Sequence, residues 1–306
     1  MSAQADSPKF GGDDARTCGQ KRTTWPAGGM GRREEGSPSG VCADEDLVFV
    51  ADPEAHCVRK FTSAGTLLDE WGERGDDQGQ FDSPEALACD GRGGVYVADT
   101  GNHRIQKFTR DGHFVAAWGI RGPAAGCFDE PIAIVADADG GVWVCESGNR
   151  RVQHLWSSGS FLRFLGAWGS RSGGDPGLQD PQGIAIDCEG RVLVVDASSR
   201  TVRVYDGDGV LVRAIDLSAL ADGRVAPRDV AVGPAGEVYV CDTAGCLVHG
   251  FGADGASLGS WAVARGHGVQ ARRRSAGFPC GLATDKCGRL YVTVPRHGVV
   301  ETVQPL

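Results

Sequence analysis

Short apolar runs recur along the chain at Leu47-Val48-Phe49-Val50, Val95-Tyr96-Val97, Val142-Trp143-Val144, Val192-Leu193-Val194-Val195, Val238-Tyr239-Val240 and Leu290-Tyr291-Val292. They are apolar on both faces and rich in β-branched and aromatic residues, so each reads as a strand buried between stacked sheets. Turns precede them, as in Asp90-Gly91-Arg92-Gly93-Gly94 and Asp137-Ala138-Asp139-Gly140-Gly141. There an aspartate can accept from the backbone two residues on, and glycine supplies the positive φ of a tight hairpin. A third strand, Arg104-Ile105-Gln106-Lys107-Phe108 in the second unit, is followed by a fourth that ends at an aromatic residue: Trp71, Trp118, Trp168 or Trp261, with Ile215 in the equivalent place.

The pattern is periodic. Pro38, Pro84, Pro131, Pro181, Pro227 and Pro279 recur at spacings of 46, 47, 50, 46 and 52 residues. The second residue after each proline is small at Gly40, Ala86, Ala133, Gly183 and Gly281, with Asp229 the exception, and the third is always aliphatic. The sixth is aspartate at Asp44, Asp90, Asp137, Asp187 and Asp285, with Gly233 the exception. Four strands in each unit of about 47 residues predict the blades of a β-propeller.

The chain ends fix the number of blades. Trp25 precedes Pro38 by 13 residues, the same interval that separates Trp71 from Pro84 and Trp118 from Pro131. Lys21–Trp25 therefore reads as a fourth strand with no companions of its own, and the last unit, from Pro279, has room for only three. Pairing the two closes a ring of six and covers an open sheet edge. The expected fold is all-β: a six-bladed propeller of four-stranded antiparallel blades over residues 21–306, preceded by a flexible tail over residues 1–20. Closed in this way, the chain is expected to be a monomer.

The 306 residues include 47 glycines, and 41% are hydrophobic, a composition with enough apolar surface for a packed core. The net charge of −9 disfavours nucleic acid as a partner, because such binding needs basic surface to release counterions. No apolar run reaches the roughly 20 residues of a membrane helix, and no secretory leader stands at the start, so the expectation is a cytoplasmic protein that does not enter membranes. The eleven cysteines contain no CxxC pair. Cys42, Cys89, Cys145 and Cys241 sit in apolar runs and read as reduced core residues.

Asp99-Thr100-Gly101-Asn102-His103-Arg104-Ile105-Gln106-Lys107-Phe108 resembles an NHL repeat, and Glu146-Ser147-Gly148-Asn149-Arg150-Arg151-Val152-Gln153 repeats it. The other four units depart from it; Val294 stands in the acidic place of the sixth. Because the acidic residue, Asn and Arg recur at one register, they read as a turn-stabilising network rather than a site.

In a propeller the position after each repeat proline is expected at the mouth of the central channel. Here it holds Ser39, Glu85, Ile132, Gln182, Arg228 and Cys280. Propellers of the amidating-lyase class carry zinc-ligating histidines after repeat prolines, and this sequence has no Pro-His pair, so neither zinc nor any other cofactor is expected. Lactonase-like propellers build a channel site from carboxylates and amides, which Glu85, Gln182 and Asp229 could supply, although Arg228 adds a cation beside them. Some NHL domains bind RNA through a basic face. The insertion carrying Arg272, Arg273 and Arg274 is the feature that would serve this, with Arg32, Arg33, Arg121 and Arg171 on equivalent loops. Glu34, Glu35, Glu73, Asp76 and Asp77 share that face and dilute its charge. The expected role is therefore a rigid, non-catalytic platform for a peptide or protein partner. Its candidate ligand-binding residues are Glu85, Gln182, Arg228, Asp229 and Arg272–Arg274; a channel enzyme and an RNA-binding domain are the alternatives.

Overall fold

The computed structural model describes residues 22–29, 36–156, 158, 177–220, 224–263 and 278–304, and the backbone of 161–165. Its strands form six four-stranded antiparallel sheets. Blade 1 comprises β2 (Val41–Asp44), β3 (Leu47–Asp52), β4 (Cys57–Thr62) and β5 (Leu67–Trp71). Blade 2 runs from β6 (Pro84–Cys89) through β7 (Gly94–Asp99) and β8 (Arg104–Thr109) to β9 (Phe114–Trp118). In blade 3 the strands are β10 (Pro131–Ala136), β11 (Gly141–Glu146), β12 (Arg151–Trp156) and β13 (Phe161–Leu165). Blade 4 holds β14 (Pro181–Ile186), β15 (Val192–Asp196), β16 (Thr201–Tyr205) and β17 (Leu211–Asp216). Blade 5 holds β18 (Pro227–Val232), β19 (Val238–Asp242), β20 (Leu247–Phe251) and β21 (Ser257–Ala262).

Blade 6 is assembled from both ends of the chain. Its strands β22 (Leu282–Thr284), β23 (Leu290–Val294) and β24 (Val299–Val303) are completed by β1 (Arg22–Pro26), which pairs antiparallel with β24 and sets Trp25 opposite Val300. This is the closure that the 13-residue interval implied. Trp25 is buried 4.7 Å from the Phe61 ring of blade 1, so the closing strand also packs against the next blade. Residues 1–20, Lys21 and Trp168 lie outside the described residues.

The apolar runs are the second strands of their blades, and β7, β11, β15, β19 and β23 are buried along their whole length. Each stacks between neighbouring sheets, which gives one apolar cluster at each blade-to-blade contact. Four of the five turn aspartates act as their position implied, whereas Asp44 pairs with Arg110 of blade 2 at 2.6 Å. Asp90 Oδ1 accepts from the backbone N–H groups of Arg92 and Gly94 at 2.8 and 2.7 Å. Asp187 and Asp285 do the same in their turns. Where Gly233 replaces the aspartate, Glu237 reaches back and accepts from the Ala235 N–H at 3.1 Å.

The NHL-like acidic residues anchor the loop that leads into their own blade. Buried Asp99 accepts from the Asp82 N–H at 2.7 Å, Asn102 Nδ2 at 2.9 Å and Arg104 Nε at 2.7 Å. Arg104 in turn donates to the carbonyls of Asp76, Asp77 and Gln80. The network thereby holds the loop that enters its own blade, and Glu146, Asn149 and Arg151 repeat the arrangement. Desolvation pushes the Asp99 carboxyl above its ordinary range, and these donors oppose that rise.

One expectation is corrected. Cys42 and Cys89 are joined in a disulfide across a Cα–Cα distance of 6.1 Å. Cys42 lies on β2 and Cys89 on β6, so the bridge ties the innermost strands of blades 1 and 2. Their apolar surroundings made both look like core residues; Cys42 stands four places after Pro38 and Cys89 five after Pro84, and the stacking of the repeats is what brings them face to face. Cys145 and Cys241 are free and buried, and burial drives both thiols well above the usual range.

Candidate functional site

The innermost strands β2, β6, β10, β14, β18 and β22 touch in sequence around the axis, with β22 returning to β2. They approach closely, which explains the small residue two places after each proline. A Cβ on Gly183 would lie 2.6 Å from Asp229 Cα and 2.8 Å from the Arg228 carbonyl oxygen. On Gly281 it would lie 2.3 Å from the Ser39 carbonyl oxygen. These are backbone obstacles that cannot rotate away.

All six residues that follow the prolines line one cavity at the end of the channel. Ser39, Glu85, Ile132, Gln182, Arg228 and Cys280 stand there in ring order, one from each blade, with Asp229 beside Arg228. The cavity measures about 70 Å³, room for water or a small head group, whereas drug-sized ligands occupy roughly 300–1,000 Å³. A wider hollow of about 560 Å³ lies at the rim of blade 1, lined by Arg59, Glu70 and His56 among others. Arg59 and Glu70 there are committed to each other at 2.6 Å, so we place the candidate site on the axis instead.

Blades 2 and 5 face each other across the ring. Glu85 and Arg228 therefore meet over the axis, with the guanidinium Nη2 3.4 Å from Glu85 Oε2. That carboxylate oxygen also accepts from Ser39 Oγ at 2.8 Å. Gln182 turns to Asp180, donating from Nε2 to Oδ1 at 2.7 Å. Asp229 does not pair with its neighbour Arg228; its two oxygens accept the N–H groups of Val230 at 2.9 Å and Leu282 at 2.8 Å. The second bond crosses to blade 6, so the one departure from a small residue in the repeat is itself an inter-blade tie. Enclosure by protein raises the Asp229 carboxyl to about 7, against the lowering effects of these two donors and Arg228. Burial also raises the Cys280 thiol, and Arg228 beside it pulls the other way.

Glu85, Gln182, Arg228 and Asp229 are thus brought together at one mouth, as expected from their register. Arg272–Arg274, Arg32, Arg33 and Arg171 lie outside the described residues. Ser39 and Cys280 complete the lining. Sequence reasoning missed Asp180 and Thr293. Asp180 could have been found, since residues two apart on an extended segment share a face and Gln182 was already a candidate. Thr293 binds the Ser39 carbonyl from the adjacent blade and had no sequence signal. No described histidine lines the mouth. His56 and His103 instead accept backbone N–H groups of the next blade's entry loop, from Ser83 and Glu130, both at 3.1 Å. Among the described residues, no three His, Cys, Asp or Glu side chains converge as a metal site would require.

The architecture defines the protein as a six-bladed β-propeller. Residues 81–108 match the NHL repeat, so the chain carries an NHL repeat within that propeller. No curated protein matches it in sequence. Solved structures similar to it include virginiamycin B lyase from Staphylococcus aureus, 12% identical with a TM-score of 0.66 over 94% of this chain and 100% of that one. A gluconolactonase from Xanthomonas campestris is 15% identical, with a TM-score of 0.66 over 88% and 86%. A chain of a nidogen/laminin complex is 17% identical, with a TM-score of 0.59 over 75% and 81%. At these identities the likeness is one of fold.

Proposed function

We propose that this propeller is a non-catalytic platform that holds a peptide or protein partner on the face where the channel mouth opens. The observation that carries the proposal is the ring of six unlike side chains at that mouth, with Glu85 and Arg228 paired over the axis. A ring of this kind presents both charges, an amide, a hydroxyl and an apolar group together, which suits recognition of a varied surface. Loops on a closed, rigid scaffold bind partners with little entropy lost by the scaffold itself. A nidogen/laminin complex contains a chain of similar fold, consistent with protein recognition by this architecture.

The test is selection from a displayed peptide library on the immobilised protein. The expected result is an enriched motif whose binding disappears in Arg228→Glu while the unfolding midpoint is unchanged. If selection enriches nothing, or the motif binds Arg228→Glu equally well, the platform reading is wrong.

One observation favours a channel enzyme as the second reading: Asp229 carries a carboxyl raised to about 7 next to an arginine, in a fold shared with a lyase and a gluconolactonase. Lactone hydrolysis by the wild type, lost in Asp229→Asn, would put that reading first. Location is likewise a proposal. No described helix is long and apolar enough to cross a membrane. The Cys42–Cys89 bridge favours an oxidising compartment over the cytoplasmic expectation.

A further inference from the structure

Several ion pairs of this propeller are short and local, and others, such as Arg110–Asp44 at 2.6 Å, join neighbouring blades. Arg104–Asp99, Arg151–Glu146, Arg191–Asp187 and Arg289–Asp285 are short, at 2.6–2.7 Å, and each joins residues four or five apart in sequence. Arg228–Glu85 is different: it spans 143 residues, crosses the axis, and is loose at 3.4 Å. The guanidinium side chain is 41% exposed and the carboxylate 27%, so both groups are reachable from the mouth. Asp229, the carboxyl next to Arg228 in the chain, has turned both oxygens to backbone donors.

From this geometry we infer that the Glu85–Arg228 pair is the closed form of a receptor for a group bearing both an ammonium and a carboxylate. Such a group enters between the two side chains, its carboxylate taken by Arg228 and its ammonium by Glu85. One loose ion pair then becomes two, and no charge is left unmatched in a narrow, partly desolvated mouth. A simple carboxylate would leave Glu85 without a cation, and a simple ammonium would leave Arg228 without an anion, each at the cost of an uncompensated charge. Ser39 supports the exchange by holding Glu85 from the side at 2.8 Å, so that Glu85 need not move when Arg228 lets go. The cavity of about 70 Å³ admits a head group and excludes a bulky body, which must stay outside on the rim.

This chemistry has two sources: the termini of a free amino acid or short peptide, and adjacent lysine and acidic side chains on a larger partner. The inference rests on the mouth being the binding face. Its test uses small probes, so it can fail while selected peptides still bind. The intact protein, labelled on arginine side chains with ¹⁵N, is titrated with β-alanine, propionate and propylammonium while the Arg228 Nε–H resonance is followed, assigned with Arg228→Lys. β-Alanine is expected to shift that resonance at concentrations about tenfold lower than either single-charge probe, the effect of one charge-assisted contact. Glu85→Gln and Arg228→Gln are each expected to weaken β-alanine about tenfold or more. The charge-swapped Glu85→Arg/Arg228→Glu protein, assayed by calorimetry, is expected to recover most of the binding, because a zwitterion can enter reversed. Glycylglycine then competes with β-alanine if termini are the source, and N-acetyl-lysyl-aspartate amide if paired side chains are; both competing fits the shared chemistry. Propionate or propylammonium binding as tightly as β-alanine, no probe moving Arg228, or single variants binding like the wild type would overturn the inference.

Discussion

The disulfide between Cys42 and Cys89 makes the most direct prediction. It closes a loop of 47 residues and joins β2 to β6, the strands that follow Ser39 and carry Glu85. Its main effect is to deprive the unfolded chain of conformations. For a loop of that length the chain-entropy relation gives about 4 kcal/mol at 25 °C. Unfolding a 306-residue chain carries an entropy of about 0.6 kcal/mol/K, so the midpoint should rise by about 6 °C. The measurement is thermal unfolding of the same purified protein with and without a thiol reductant, with peptide mass mapping of the bridge. Comparing the two forms of one sequence avoids confusing the bridge with the packing of Cys42 against the apolar cluster of blades 1 and 2. Mapping that finds both thiols free without reductant refutes the pairing. A bridge that is present but shifts the midpoint by less than about 1 °C refutes the entropy argument.

Three further outcomes are expected. Trp25→Ala removes the buried ring that seats the closing strand, and should destabilise the propeller by about 3–5 kcal/mol in denaturant titration. A loss below about 1 kcal/mol would mean that blade 6 does not depend on β1. Gly183→Ala sets a methyl group against the backbone of Arg228 and Asp229, and a cost of about 1–3 kcal/mol is expected on the same assay; a neutral result would show that β14 and β18 can part freely. Asp229, raised to about 7 in the folded protein, keeps a proton that the unfolded chain gives up near its ordinary value of 3.8. Stability should thus fall as pH rises through the window from about 4 to 7 and then level off. The full shift corresponds to about 4 kcal/mol, and access of the channel to solvent reduces this to on the order of 2 kcal/mol. Asp229→Asn should flatten that slope, and an identical slope in both proteins would assign the dependence to other groups.

The sequence by itself determined the blade count, the strand order and the closing strand. The reason is that stacked sheets impose one burial pattern on every repeat: a proline, a small residue, an aliphatic residue and a turn aspartate recur because each blade solves the same packing problem. The interval from Trp25 to Pro38 even disclosed a pairing between the two ends of the chain. The ring of residues after the prolines was legible for the same reason, since register along a strand determines which side chain faces the axis. What register cannot say is which of six side chains reaches which other. Glu85 and Arg228 are 143 residues apart and meet only because blades 2 and 5 are opposite. Asp229 looked like a free carboxylate beside a cation, and the closeness of β22 turned it to the backbone instead. Cys42 and Cys89 read as core residues because sequence pattern records burial and not partners. Distances across the axis and between blades depend on how the whole ring closes, so the disulfide, the axial ion pair and the raised carboxyl of Asp229 were decided by the tertiary structure alone.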